Sequence, residues 1–135
     1  MEGIKWTDEL SVGVAEMDQQ HQKLILMINR LILEQKVLTA PETIAQLITE
    51  MTDYASEHFR AEEFLLSEYG YDDIDIQVVQ HEKFIADTQN FIDAADVGTN
   101  ILSKALLDYL EQWLVQHILE EDMKYKDFFK TKGVS

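Results

Sequence analysis

His58-Phe59-Arg60-Ala61-Glu62-Glu63 decides how this chain is read. It sets an imidazole and a carboxylate four residues apart, and residues at i and i+4 share one helical face. Stepping outward by threes and fours collects Met51, Ala55, His58, Glu62, Leu65 and Tyr69. That stripe is otherwise mostly apolar, so His58 and Glu62 are expected to point into a core. A buried carboxylate is costly unless it is paired or binds a metal. The segment therefore predicts something positive in the interior, with a metal as the leading candidate.

The chain has 135 residues, enough for one domain with a sizeable core. At 46% hydrophobic it is too apolar for a disordered chain, and only five glycines and one proline favour long helices over a turn-rich sheet protein. The net charge of −15 would repel phosphate backbones and anionic membrane surfaces, so no nucleic-acid partner is expected. There is no cysteine, which excludes disulfides, thiolate zinc sites and iron–sulfur clusters. His, Asp, Glu and weaker oxygen donors remain as ligands. Met1-Glu2-Gly3-Ile4-Lys5-Trp6 lacks the apolar run of a secretory signal, and no stretch approaches transmembrane length. No membrane insertion and a cytoplasmic location are the expectation.

Helical periodicity predicts an all-α, up-down-up-down four-helix bundle with an ordered N-terminal arm. A single domain is expected over residues 1–135, with the arm at 1–17 and helices at about 18–38, 41–69, 73–97 and 99–129. Asp18 suits an N-cap, Pro41 a first turn and Gly70 the residue after a helix end. Gly98 punctuates the last connection, and Leu102 starts the inward stripe of the last helix. Lys130 onward reads as a frayed tail.

The chain has four histidines, His21, His58, His81 and His117, one on each predicted helix and each on its inward stripe. A single core histidine is most simply a structural residue bonded to a carbonyl or hydroxyl. Four of them would each need a separate partner in a narrow core, whereas one shared metal centre satisfies them together. Glu62 follows His58 by four, and Glu120, Glu121 and Asp122 follow His117. Facing helices that supply histidines and carboxylates build di-iron and di-manganese sites. A lone zinc wants fewer ligands than this, and calcium would use more carboxylates. Iron or manganese, as two ions, is the expectation. Glu57, Glu63, Glu68, Glu82 and Asp87 read as solvated helix faces.

On these residues the chain resembles the hemerythrin family in its stand-alone, single-domain bacterial form. Trp6, Leu10-Ser11-Val12-Gly13-Val14 and Met17-Asp18-Gln19-Gln20-His21 are similar to the family's opening. His58 to Glu63, Gln80-His81-Glu82-Lys83-Phe84 and His117 to Asp122 are similar to its three later motifs. The resemblance implies a pair of irons (Fe2+/Fe3+) with an oxo or hydroxo bridge and reversible O2 binding at one of them. It assigns His21 and His58 to the iron with the open position, and His81 and His117 to the other. Glu62 and Asp122 would bridge them. It implies an apolar oxygen pocket of Leu24, Phe59, Trp113, Leu114 and Ile118, with Tyr125 behind the ligands.

The chain departs from the family's pattern once: Gln77 stands where a fifth histidine is usual, four residues before His81. Either Gln77 ligates weakly through its amide oxygen, or water fills in, or that iron keeps a further open position. The acid on the last helix is also ambiguous. A regular α-helix would pair His117 with Glu121, the resemblance selects Asp122, and a π-type turn would reconcile the two.

Three functions compete. The first is a non-heme di-iron protein for O2 storage, delivery or sensing, with dioxygen as partner, delivery to an unidentified oxygen-using protein, and no catalytic residues. The second is a di-iron redox enzyme of peroxidase, nitric-oxide-handling or ferroxidase type, whose odds Gln77 raises. The third is a metal-free or single-metal bundle, which strands buried polar groups.

Overall fold

The computed structural model describes residues 3–36, 41–95 and 104–135. The chain forms α1 (Ala15–Lys36), α2 (Pro41–Glu68), α3 (Ile74–Ala95), α4 (Lys104–His117) and α5 (Met123–Thr131). A π-helical turn, Ile118–Asp122, joins α4 to α5, so the two run on as one interrupted helix. α1 packs on α2, α2 on α3, and α4 closes the ring against both α1 and α3. The result is the four-helix bundle expected from the apolar periodicity. None of the described helices is long and apolar enough to cross a membrane.

Each helix buries one stripe: Leu24, Ile28 and Leu31 from α1, Met51, Ala55 and Leu66 from α2, Phe84 from α3, and Leu106, Leu110 and Leu114 from α4. α2 ends at Glu68, and Gly70 follows with a φ of +71°, which glycine adopts without strain. Tyr71 N–H then reaches back to the Leu66 carbonyl at 3.0 Å, closing the last turn. The expected helix boundaries at Leu38, Val97, Gly98 and Thr99, and Leu102, lie outside the described residues.

The N-terminal arm is tied down by two side chains of α1. Asn29 accepts from Ile4 N–H at 2.7 Å and donates to the Ile4 carbonyl at 2.8 Å. Gly3 has a φ of +89°, which side chains rarely adopt, and a Cβ there would also meet Asn29 Oδ1 at 2.6 Å, so glycine is favoured at this close approach. Asp18 accepts from Ser11 Oγ at 2.6 Å and from Val12 N–H at 2.8 Å. It is therefore not the N-cap expected of it. α1 begins three residues earlier, at Ala15, and Asp18 turns outward from the helix to hold the arm.

Two further expectations fail. Tyr69 is exposed, and Leu66 takes the inward position, because the stripe drifts as successive steps of three and four accumulate. The C-terminus is not frayed at Lys130: α5 runs to Thr131, Val134 N–H bonds the Phe129 carbonyl at 3.0 Å, and Val134 packs on the core.

Candidate metal centre

Every element of the bundle contributes to one buried cluster. α1 supplies His21, α2 His58 and Glu62, α3 Gln77 and His81, α4 His117, and the π turn Asp122. None of these side chains is more than 5% exposed. A π turn holds one residue more than an α turn, so residues five apart come to one face. That brings Asp122 Oδ1 to 3.2 Å from His117 Nε2. Glu121, favoured by regular spacing, lies outside the cluster beside Lys124 Nζ at 3.4 Å.

The two carboxylates divide their oxygens between two pairs of imidazoles. Glu62 Oε2 lies 3.4 Å from His21 Nε2 and 3.5 Å from His58 Nε2, while its Oε1 lies 3.0 Å from His81 Nε2. Asp122 Oδ2 lies 3.3 Å from His21 Nε2, and its Oδ1 faces His117. His81 Nε2 and His117 Nε2 are 3.1 Å apart. Two ligand-ready triads result, His21–His58–Glu62 and Glu62–His81–His117, with donor atoms within 4.8 Å of one another and Glu62 common to both.

Several of these atoms are buried without a hydrogen bond among the described residues: His21 Nδ1 and Nε2, Glu62 Oε1, Gln77 Oε1 and Asp122 Oδ2. Buried polar atoms are rarely left so. Their arrangement fits a group that sits among them and takes lone pairs from all of them. Nitrogen and carboxylate oxygen in this mixture suit a divalent or trivalent transition ion.

The electrostatics tell the same story. Burial lowers the pKa of His21, but Asp122 and Glu62 outweigh it and carry it up to about 10. Burial likewise works against the His81 cation, and Glu62 and Glu63 again win, raising it. His58 is lowered, burial prevailing there. Burial pushes Glu62 up, yet His58, His21 and His81 together hold it well below the usual carboxylate range. Asp122 is lowered too, its histidine neighbours overcoming both burial and Glu62. Both carboxylates are thus ionised, and the cluster attracts positive charge.

Behind the cluster stand three acceptors on neighbouring helices. His58 Nδ1 meets Gln20 Oε1 at 2.6 Å, His81 Nδ1 meets Glu63 Oε2 at 2.8 Å, and His117 Nδ1 meets Gln80 Oε1 at 2.7 Å. An acceptor at Nδ1 fixes the proton there and leaves the Nε2 lone pair facing inward. Sequence reasoning missed all three and assigned Glu63 to a solvated face. The available signal was the general need of a ligating histidine for such a partner. Tyr125, fully buried, donates its hydroxyl to Glu62 Oε2 at 2.9 Å.

Aromatic rings wall the His81–His117 side. Phe59 stacks on His81 with centroids 4.0 Å apart, and Trp113 stacks on His117 at 4.6 Å. Phe84 packs against both Phe59 and Trp113. Leu24, Leu114 and Ile118 are buried in the same core, while Trp113 is half-buried.

Comparison with known proteins agrees with this geometry. A family model described as the hemerythrin HHE cation binding domain matches residues 12–129. A bacteriohemerythrin of Clostridium acetobutylicum is 30% identical over 126 residues, spanning 90% of this chain and 98% of that protein. A bacteriohemerythrin of Stenotrophomonas maltophilia is 34% identical over 128 residues, spanning 95% of this chain and 82% of its own. The crystal structure of a wild-type hemerythrin superposes with a TM-score of 0.82 at 25% identity, covering 92% of this chain and 95% of the other. The family match spans most of the chain, from the end of the arm to near the end of α5, and so this protein belongs to the hemerythrin family.

Proposed function

We propose that this protein binds two iron ions, joined by an oxo or hydroxo bridge, and uses them to bind O2 reversibly for storage, delivery or sensing. The observation that carries this is the division of Glu62 and Asp122, each offering one oxygen to each imidazole pair. His21 and His58 would hold one ion, and His81 and His117 the other. Glu62 and Asp122 would span them. The cation-binding description of the matching family supports a metal in this cluster.

When bound, the reduced iron pair supplies the electrons that O2 binding draws on. The chain supplies the rest. Gln20, Glu63 and Gln80 orient the imidazoles through Nδ1, so little reorganisation accompanies metal uptake. Tyr125 holds Glu62 in place. Leu24, Leu114, Ile118 and Phe59, whose ring meets both His58 and His81, would line the oxygen pocket, with Trp113 packed behind Phe59 on the His117 side, and would exclude water from it. Such a lining favours a carrier over a catalyst. A redox-enzyme role draws its support from Gln77, if that position leaves a further exchangeable place on iron.

Iron quantitation with absorption spectra tests the proposal. About two irons per chain are expected, with a charge-transfer band in the oxidised protein that shifts on adding azide. The reduced protein should develop an O2-dependent band in air and lose it when O2 is removed. Iron near zero after expression with iron supplied would refute the metal assignment, and irreversible oxidation alone would refute the carrier role.

A further inference from the structure

Gln77 is 1% exposed and lies one turn before His81 on the inner face of α3. Its Nε2 donates to Asp122 Oδ1 at 2.9 Å. That oxygen is the one presented to His117, not the one presented to His21. A carboxylate only accepts hydrogen bonds, so the amide must turn its NH2 arm to Asp122 and its carbonyl arm away. The orientation of this amide is therefore dictated by its neighbour. Gln77 Oε1 is left buried with no hydrogen-bond partner among the described residues. A buried carbonyl with nothing to accept from is a costly arrangement to keep, and it needs an occupant that accepts a lone pair.

We propose that the Gln77 amide oxygen is a fifth protein donor to the cation held between His81 and His117, so that only the His21–His58 side keeps an open position. This rests on the two-iron function above. Without Gln77 the two sides are matched, each with two imidazole nitrogens and two carboxylate oxygens. Gln77 breaks that symmetry. Its NH2 arm braces Asp122 while its carbonyl arm fills the position, so a single side chain sets both the bridge and the saturated iron. The exchangeable ligand is then directed to one iron alone.

Azide titration of the oxidised, iron-loaded protein, with iron determined on the same samples, tests this. A six-coordinate ion with five protein or bridging donors takes up one azide, so the wild type should bind about one per chain. Gln77→Leu, which removes both arms, should bind about two and hold its second iron roughly 10–100-fold more weakly. Gln77→His should again bind about one. Two irons with about two azides in the wild type would overturn the proposal while leaving the iron pair intact. About one azide in a two-iron Gln77→Leu protein would overturn it as well. Should Gln77→Leu fail to fold, the wild type against Gln77→His still decides: equal uptake of about one supports the proposal, and twofold greater uptake in the wild type overturns it. Absence of iron from the wild type would overturn both the pair and this assignment.

Discussion

Tyr125→Phe isolates one hydrogen bond at the centre of the bundle. The hydroxyl donates to Glu62 Oε2 at 2.9 Å, and Tyr125 is fully buried. Burial and the adjoining Glu62 and Asp122 charges push its pKa well above 10, so the donor keeps its proton across neutral pH. The substitution removes only the oxygen. In the metal-free protein Glu62 Oε2 then keeps only longer, 3.4–3.5 Å contacts to His21 and His58. A lost hydrogen bond to a buried charge costs about 1.5–3 kcal/mol. With an unfolding entropy of about 2.1 cal/mol/K per residue over 135 residues, Tm should fall by about 5–10 °C. In the iron-loaded protein the cations would satisfy Glu62 directly. The same substitution should then cost about 1 kcal/mol, close to the loss of a neutral hydrogen bond. Calorimetric scans of both proteins, with and without iron, measure the difference. A metal-free Tm unchanged within about 2 °C, or a larger drop with iron than without, would refute the reasoning.

Three other outcomes follow from the site and the arm. His21, raised to about 10, carries a proton in the metal-free protein at neutral pH, yet a ligating imidazole must be neutral. Iron loading in weak buffer near pH 7.5 should thus release about one proton from His21, and affinity should rise about tenfold per pH unit until that pKa is reached; uptake with no proton release contradicts this. The sign for stability is the reverse: a raised histidine stabilises the metal-free fold fully below pH 6.5, and that contribution is lost as pH climbs through about 10. Asp122→Asn should weaken iron retention by at least about tenfold while Glu121→Gln leaves it within about twofold, as read by iron content after dialysis against a chelator; equal losses would mean the π turn does not select between them. Asp18→Ala strands the Val12 N–H and Ser11 Oγ and should cost about 3 kcal/mol in urea unfolding, with faster hydrogen exchange in the arm; an unchanged midpoint would show that the arm is held by its apolar contacts alone.

The bundle was legible because its signal is repetitive. Leu24, Ile28 and Leu31, or Leu106, Leu110 and Leu114, repeat one instruction at helical spacing, and a single misassignment such as Tyr69 does not disturb it. The four histidines were legible for the same reason, each lying in phase with an apolar stripe. Asp122 was not legible from periodicity, since a π turn alters the phase for one turn only and leaves no compositional mark; family resemblance supplied it. The partners Gln20, Glu63 and Gln80 were hidden differently. They meet histidines 38, 18 and 37 residues away, across helix–helix contacts that no local pattern encodes. Asp18 misled because a carboxylate in a first helical turn serves equally well as a cap or as an anchor for a preceding segment, and only the path of the arm decides.

What separates a metal centre from an ordinary buried ion-pair network is the direction of the lone pairs. In a charge network confined to this cluster each imidazole would turn an N–H inward, toward Glu62 or Asp122. Here Gln20, Glu63 and Gln80 occupy Nδ1 of three rings and draw the proton to that side. The opposite nitrogens then confront acceptors: His81 Nε2 faces His117 Nε2 at 3.1 Å and Glu62 Oε1 at 3.0 Å. Acceptors this close repel unless a proton or a cation lies between them. Protons can bridge only one pair at a time, and the raised His21 and His81 show the metal-free protein recruiting them. They still leave Gln77 Oε1 without a partner among the described residues. A cation accepts lone pairs from several directions at once, so two of them can satisfy both imidazole pairs and both carboxylates together. The three polar residues behind the histidines, by fixing where the protons cannot be, prepare the core for metal before any metal arrives.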